Sequence, residues 1–397
     1  MLDSVTGAAD ADKSPRRLSV MSAQQPISFA RGAPSLDIVD VEGLKAAAVR
    51  ALDADPGGVT AYGTAFGYPP LREWIAAKHG VGTDHVLVTN GSLQADAFLF
   101  QHLVHSGEAV VVERPTYDRT LLNLRTMGAE VHQVTLQADG LDPDELRKLL
   151  ESGVRPRLAH VIPNYQNPSG VTLAADKREA LIGLAREYDF TIFEDDPYVD
   201  IRFRGEPLPS LLSMDGEHVV HASSFTKTIC PGLRVGYLVA QPAMITEIAR
   251  KATSTYISAG MVAQAIVYQF CVSGAIERSI ATVRVALAER AGRLAAALRE
   301  HIPGIRFAEP DGGYFLWVEL PDSVDVKTLV PEAERRGVTV VKGTDFLLEG
   351  GHHALRLAYS AVTVDQIEPG VQRLAEAVRA LARSHRQFAA YQTVHSG

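Results

Sequence analysis

The stretch Ser223-Ser224-Phe225-Thr226-Lys227-Thr228-Ile229-Cys230-Pro231-Gly232-Leu233-Arg234 decides how this chain is read. It follows one short apolar run, Val219–Ala222, and leads into another, Val235–Val239, so it lies where one predicted strand ends and the next begins. A lysine among small hydroxyls, with an arginine seven residues on, has two readings. It is a solvated loop lysine, or it is an amine held neutral enough to attack carbonyls. In the second reading the hydroxyls and the Arg234 fork together hold a phosphate.

Working outward, strand-length runs occur at His85–Thr89, Ala109–Glu113, Glu130–Val134, Leu158–Ile162 and Thr191–Glu194 as well. Helix-length segments lie between several of them, at Leu93–His105, Thr120–Met127, Pro143–Glu151 and Ala174–Tyr188. This alternation predicts an α/β fold, a mostly parallel sheet between layers of helices. Such sheets bind ligands beyond the carboxyl ends of their strands. After a helical stretch from about Met261 to His301, shorter strands (Ile305–Phe307, Tyr314–Glu319, Thr339–Val341, Ala354–Leu357) mix with helices at Val326–Arg336 and Val364–Ala382. That change of pattern predicts a smaller α+β domain. The expected organisation is a tail over 1–26, a segment 27–50 serving the small domain, a large domain over 51–290 and the small domain over 291–397.

Three further strand ends carry suggestive residues. Phe193-Glu194-Asp195-Asp196-Pro197-Tyr198 places three acids in a row, costly to bury unless each has a partner. A carboxylate there suits a protonated ring nitrogen, and Tyr198 a phenolate oxygen; a solvated acidic turn is the plain alternative. Pro163-Asn164-Tyr165-Gln166-Asn167-Pro168-Ser169-Gly170 is rich in turn formers, whose amides also suit a heteroaromatic oxygen. Asn90-Gly91-Ser92-Leu93 opens a helix, where backbone N–H groups bind anions and Ser also serves as a cap.

The composition fits these readings and removes others. The chain has 397 residues, 46% of them hydrophobic, which suits a folded protein with a large core and a second domain. With 39 Lys+Arg against 47 Asp+Glu the net charge is −8, so no broad basic face for nucleic acid is expected. Only Cys230 and Cys271 occur, which excludes a disulfide framework and a multi-thiolate zinc site, and fits a reducing cytoplasm. No apolar run reaches the ~20 residues of a membrane span, and no metal site is expected. P-loop, H-E-x-x-H and G-x-S-x-G motifs are absent, and His352–His353 reads as solvated. The polar segment Met1–Ser22 lacks a signal-peptide core and reads as a loose tail, with Met21 as an alternative start.

In their order along the chain, the four strand-end motifs resemble the fold-type I pyridoxal-phosphate enzymes, class I/II aminotransferases. The resemblance is to the 2-aminoadipate and kynurenine-type branch and covers about residues 27 to 385. It implies an aspartate aminotransferase-like fold and pyridoxal 5'-phosphate as cofactor. It also implies transfer of an amino group from an α-amino acid to a 2-oxo acid by ping-pong half-reactions, through an internal aldimine on Lys227. By the same resemblance Asp195, three residues before Tyr198, pairs with the ring nitrogen. Asn167 and Tyr198 donate to the phenolate oxygen, and Tyr117 stacks on the ring. Gly91, Ser92, the backbone of Leu93, Ser224 and Arg234 hold the phosphate. Arg356, in Leu355-Arg356-Leu357, grips the substrate carboxylate, with Asn167 and Gly32 beside it. Tyr62, in Ala61-Tyr62-Gly63, reaches the phosphate of a neighbouring subunit, which implies a homodimer with shared sites. Arg31 stands where relatives often have Gly, and Lys342 where they commonly have Pro. A cation at Arg31 favours an acidic or hydroxylated substrate side chain; a surface arginine is the alternative. Two other outcomes stay open on residues alone: a different pyridoxal-phosphate reaction (elimination, replacement, decarboxylation or oxidation), and a cofactor-binding sensor domain without turnover.

Overall fold

Strands covered by helices on both faces have no solvent side, so they read as continuous apolar runs rather than alternating ones. The central sheet is built this way. The computed structural model describes residues 25–395; all but the last two residues of the expected tail, with Met21, lie outside the described residues. Strand β1 (Ile27–Ser28) belongs to the second unit. The central sheet comprises β2 (Val86–Thr89), β3 (Ala109–Arg114), β4 (Glu130–Gln137), β5 (Gly140–Leu141), β6 (Leu158–Val161), β7 (Thr191–Asp195), β8 (Val219–Ser224) and β9 (Gly236–Val239). Every residue of β2, β6, β8 and β9 is buried.

Across the sheet the order is β2-β9-β8-β7-β6-β3-β4-β5. The pairs β8–β7, β7–β6, β6–β3 and β3–β4 are parallel, while β9 runs antiparallel to both β8 and β2. The reversal has a local cause. Between Ser224 and Gly236 there is only a 3-10 turn, Pro231–Leu233, whereas a parallel return needs a crossover of about a dozen residues or more, usually a helix. The chain therefore doubles back, and Arg234 arrives beside the ends of β8 and β2.

The second unit contains β10 (Phe315–Glu319), β11 (Val338–Thr339), β12 (Val341–Lys342) and β13 (Ala354–Ala358). Its three-stranded sheet has the order β10-β13-β12, and β1 pairs in parallel with β11. Three expectations need correction. Thr339–Val341 is not one strand, since Thr339 ends β11 and Val341 opens β12 in a different sheet. Ile305–Phe307 forms no strand, only the single bridge Arg306↔Glu319, because Pro303 and Pro310 bracket it and cannot donate to a ladder. The helical stretch 261–301 is two helices, Met261–Val272 and Ala275–His301, broken at Gly274 with φ +73°.

The second of these helices joins two cores. Ala275 and Ile276 pack with the apolar cluster under the central sheet, and Val283, Leu287, Leu294 and Leu298 with the cluster of the second unit. Segment 27–50 divides as well. Ile27, Phe29 and Ile38 join the second unit's core, but Ala47, on helix Val41–Ala54, packs with the central one. Its start is pinned by Phe29, whose N–H donates to Thr339 and whose carbonyl accepts from Ala358 N–H. That fixes where residues 30–32 lie.

Candidate active site

A cavity of about 270 Å³ opens at the carboxyl ends of β2, β7 and β8 and is lined by Ser92, Leu93, Tyr117, Asn167, Asp195, Tyr198, Ser224, Lys227 and Arg234. All nine are residues singled out from sequence. A larger, more open cleft of about 530 Å³, between Arg114, Trp317 and His353, contains no lysine and no comparable set.

One wall is an anion cradle. Gly91, with φ +82°, turns the chain from β2 into helix Ser92–Leu103, whose first N–H groups face the cavity end. The Arg234 guanidinium lies over Gly91; a Cβ there would sit 2.2 Å from Nη2. Gly236 is hemmed by backbone instead, since its Cβ would meet Ser92 N at 2.4 Å and Gly91 C at 2.5 Å. Ser224 Oγ donates to Thr226 Oγ1 at 2.8 Å and accepts from Thr226 N–H. Thr226 also lines the cavity; its place in the run of hydroxyls before Lys227 was the signal for it.

Lys227 stands half-buried at the centre. Its Nζ donates to the Gly32 carbonyl at 2.7 Å and lies 5.4 Å and 5.1 Å from the ring centres of Tyr198 and Tyr314. Burial first, then the charge of Arg356, pushes its amine down to about 8. Tyr314 OH donates to the Lys227 carbonyl and fixes the loop from the second unit; sequence reading missed this tyrosine.

The three acids at the end of β7 are partnered on different sides, as the twofold period of a strand requires. Glu194 accepts from Leu211 and Leu212 N–H and faces His221 Nδ1 at 2.9 Å. Burial alone would raise it, but the His221 bond and charge hold its carboxyl below the ordinary range. Asp196 accepts from Asn164 Nδ2 at 2.8 Å, and burial pushes it up to about 7. Asp195 turns to the cavity. His160 Nε2 stands 3.6 Å from its Oδ2, and its buried Oδ1 has no hydrogen-bond partner among the described residues.

Arg356, on β13, closes the opposite side. It is buried; Nη1 donates to Asn167 Oδ1 at 3.1 Å and Nη2 to the Ala30 carbonyl at 2.7 Å. Its guanidinium lies over Phe315 and Phe346, 4.4 and 4.9 Å from their centres. Gly32 touches Lys227 through its carbonyl, and Phe315 Cζ would be 2.6 Å from a Cβ at this position. Two expected residues stand apart from the cavity within one chain. Arg31 is exposed, and Tyr62 is 87% exposed in a separate hollow beside Met261.

The donor set suits pyridoxal phosphate. A lysine amine, an unsatisfied buried carboxylate, a phenol, a free amide N–H and a cationic cradle at a helix start match an aldehyde, a ring nitrogen, a phenolic oxygen and a phosphate. Comparison with known proteins agrees. Residues 25–374 match the family model for aminotransferase class I and II. A 2-aminoadipate transaminase of Thermus thermophilus is 31% identical over 94% of this chain and 96% of that protein. Aromatic-amino-acid aminotransferase 1 of Thermococcus litoralis is 30% identical over 91% and 90%. The crystal structure of an α-aminoadipate aminotransferase from Thermus thermophilus, complexed with N-(5'-phosphopyridoxyl)-L-leucine, superposes with a TM-score of 0.86 over 90% of this chain and 92% of that one, at 31% identity. Cavity, fold and relatives converge, and the chain belongs to the class I and II aminotransferases, pyridoxal-phosphate-dependent enzymes of fold type I.

Proposed function

We propose that this cavity performs transamination with the division of labour that follows. Pyridoxal phosphate, when bound, supplies an electron-withdrawing ring that stabilises negative charge at the substrate α-carbon. Lys227 is the covalent anchor and the base that removes and returns the α-proton; an amine near 8 has a substantial neutral fraction at neutral pH. Asp195 holds the proton of the ring nitrogen. Tyr198, whose hydroxyl burial keeps protonated, donates to the ring's phenolic oxygen. Asn167 joins it, because Arg356 occupies its Oδ1 and leaves Nδ2 to donate. Tyr117 covers the ring. Gly91, Ser92, Leu93 N–H, Ser224 and Arg234 hold the phosphate. The Arg356 fork fixes the substrate carboxylate, and with it the orientation of the bond to be broken.

The substrates are an α-amino acid and a 2-oxo acid taken in turn at one site. Arg31, exposed next to Gly32, favours donors with an acidic or hydroxylated side chain. Exposure of Tyr62 in the single chain supports a homodimer in which it completes the partner's phosphate site. The division into a large domain over 51–290 and a small one over 291–397 runs through helix Ala275–His301, whose residues pack into both cores, and of the segment 27–50 it is Ile27, Phe29 and Ile38 that serve the small domain. No helix among the described residues is long and apolar enough to cross a membrane, and the reading is of a cytoplasmic enzyme.

The observation that carries the proposal is the Lys227 amine, held between Tyr198, Tyr314 and Gly32 beside an unsatisfied Asp195. Borohydride treatment of the purified enzyme should fix the cofactor to Lys227, read by peptide mass. Single amino acids should then convert the cofactor to its amine form, and 2-oxo acids reverse it. Release of ammonia, carbon dioxide or peroxide in place of that exchange, or full turnover by Lys227→Ala, would defeat it.

A further inference from the structure

Asp96 has no part in this scheme, yet its place in the fold gives it one. Helix Ser92–Leu103 carries Ser92, Asp96 and Phe100 along one face, since residues four apart stack on the same side. Ser92 lines the cavity at one end of that row. At the other end the Phe100 ring packs against His160 at 6.3 Å and Phe193 at 5.7 Å. Asp96 therefore lies beneath the cradle, over the strands that carry His160 and Asp195. It is 2% exposed, and its Oδ1 has no hydrogen-bond partner among the described residues. Asp195 of β7 and Tyr117, which precedes helix Asp118–Thr126, lie within electrostatic reach of it, and His160 of β6 stands 3.6 Å from Asp195. Burial first, and then the charge of Asp195, push the Asp96 carboxyl well above the usual range. Two carboxyl groups in one dry site do not both ionise.

We propose that Asp96 is a positioning residue that stays protonated beside Asp195 and, through its O–H dipole, keeps the pair's single negative charge on Asp195 for the cofactor's ring nitrogen. The inference rests on the reading that Asp195 faces that nitrogen. Without the dipole, Asp195 competes better for the shared proton and the ring holds it less firmly.

The test compares cofactor-free enzyme binding pyridoxal phosphate with its binding of the 1-deaza analogue, whose ring has C–H in place of nitrogen. A merely structural role would change both affinities together. Asp96→Leu should bind the analogue as the wild type does but lose about tenfold of the preference for the natural cofactor, the scale of about one pKa unit in the competition for the proton. Asp96→Asn, which restores an N–H dipole, should keep the preference to within about threefold. An unchanged preference in Asp96→Leu overturns the inference, as does an equal loss in Asp96→Asn. Asp195→Asn tells the two levels apart: it should abolish the preference, and if it does not, the assignment of Asp195 itself fails. Infrared difference spectra of the holoenzyme give a readout independent of how the leucine variant folds. Buried Glu113 and Asp196, pushed up to about 8 and about 7, contribute carboxyl bands of their own. The expected signal is therefore one further protonated-carboxyl band at neutral pH in the difference between wild type and Asp96→Asn, and the absence of such a difference refutes the proposal.

Discussion

The Lys227 amine offers the sharpest quantitative test, with Arg356→Gln as the perturbation. Burial is the larger cause of its depressed pKa and the Arg356 charge the second, with Asp195 opposing. At about 8, about a quarter of the amine is neutral at about pH 7.5, against about 0.1% for an ordinary lysine, roughly 200-fold more reactive base. Trace labelling of the cofactor-free enzyme with acetic anhydride, followed at the Lys227 peptide by mass spectrometry from about pH 6 to about pH 11, reads this directly. The wild-type labelling midpoint should fall near 8. In Arg356→Gln it should rise, yet remain below the ordinary lysine value of about 10.4, because burial persists. Circular dichroism controls for loss of the bonds from Arg356 to Asn167 and Ala30. A wild-type midpoint at the ordinary lysine value, or one indifferent to Arg356, would show that this site does not activate its amine as argued.

Four more outcomes are open to measurement. Gly236→Ala places a methyl 2.4 Å from Ser92 N, a backbone contact that no side-chain rotation relieves; it should cost about 1–3 kcal/mol of stability in denaturant titration and weaken cofactor binding more than tenfold (~1.4 kcal/mol at the cradle). Arg31→Ala, assayed across a panel of amino donors, should lower kcat/KM for acidic or hydroxylated side chains by about tenfold and leave small apolar donors nearly unchanged; a uniform effect would count against a role in selection. His221→Ala strips the ring partner from buried Glu194 and should destabilise the fold by about 3–5 kcal/mol near neutral pH. Since the folded pKa of Glu194 lies below its ordinary value, its contribution is present above the unfolded value of about 4.3 and lost on acidification, so urea titrations should show the gap to wild type narrowing as pH falls. Mixing Lys227→Ala with Tyr62→Ala chains under exchange conditions should recover activity through hybrid dimers that hold one complete site, and no recovery would place Tyr62 outside the neighbour's site.

Features written in local chemistry were legible in the sequence. Helix Pro143–Glu151 has the bounds expected of it because its start is local: Asp142 accepts from Asp144 and Glu145 N–H, and Pro143 takes the first turn. The strand ends were equally clear, since a loop following a buried run must carry its polar residues at that edge. What escaped depends on pairing across long separations. Gly32 and Lys227 meet 195 positions apart only because β1 docks on β11, and both strands are two residues long. Tyr314 arrives with the second unit. Asp96, one of several polar residues of helix Ser92–Leu103, gave no hint that it is buried.

The acidic run at the end of β7 shows why such a site is readable at all. In sequence, Glu194, Asp195 and Asp196 look like a burden that only a solvated turn relieves. In the sheet, alternation sends the first and third to one side, where His221, the N–H groups of Leu211 and Leu212, and Asn164 receive them. The middle acid is left to the other side, where the cavity lies and where its Oδ1 finds no partner among the described residues. Selecting Asp195 by its spacing from Tyr198 and selecting it by the cavity it lines are independent arguments, and they choose the same residue. A one-residue slip of β7 against its neighbours would reverse the faces and turn Glu194 and Asp196 toward the cavity. The register of β7 against β8, with Asp195 opposite Ala222, is thus a condition of the chemistry as much as of the fold.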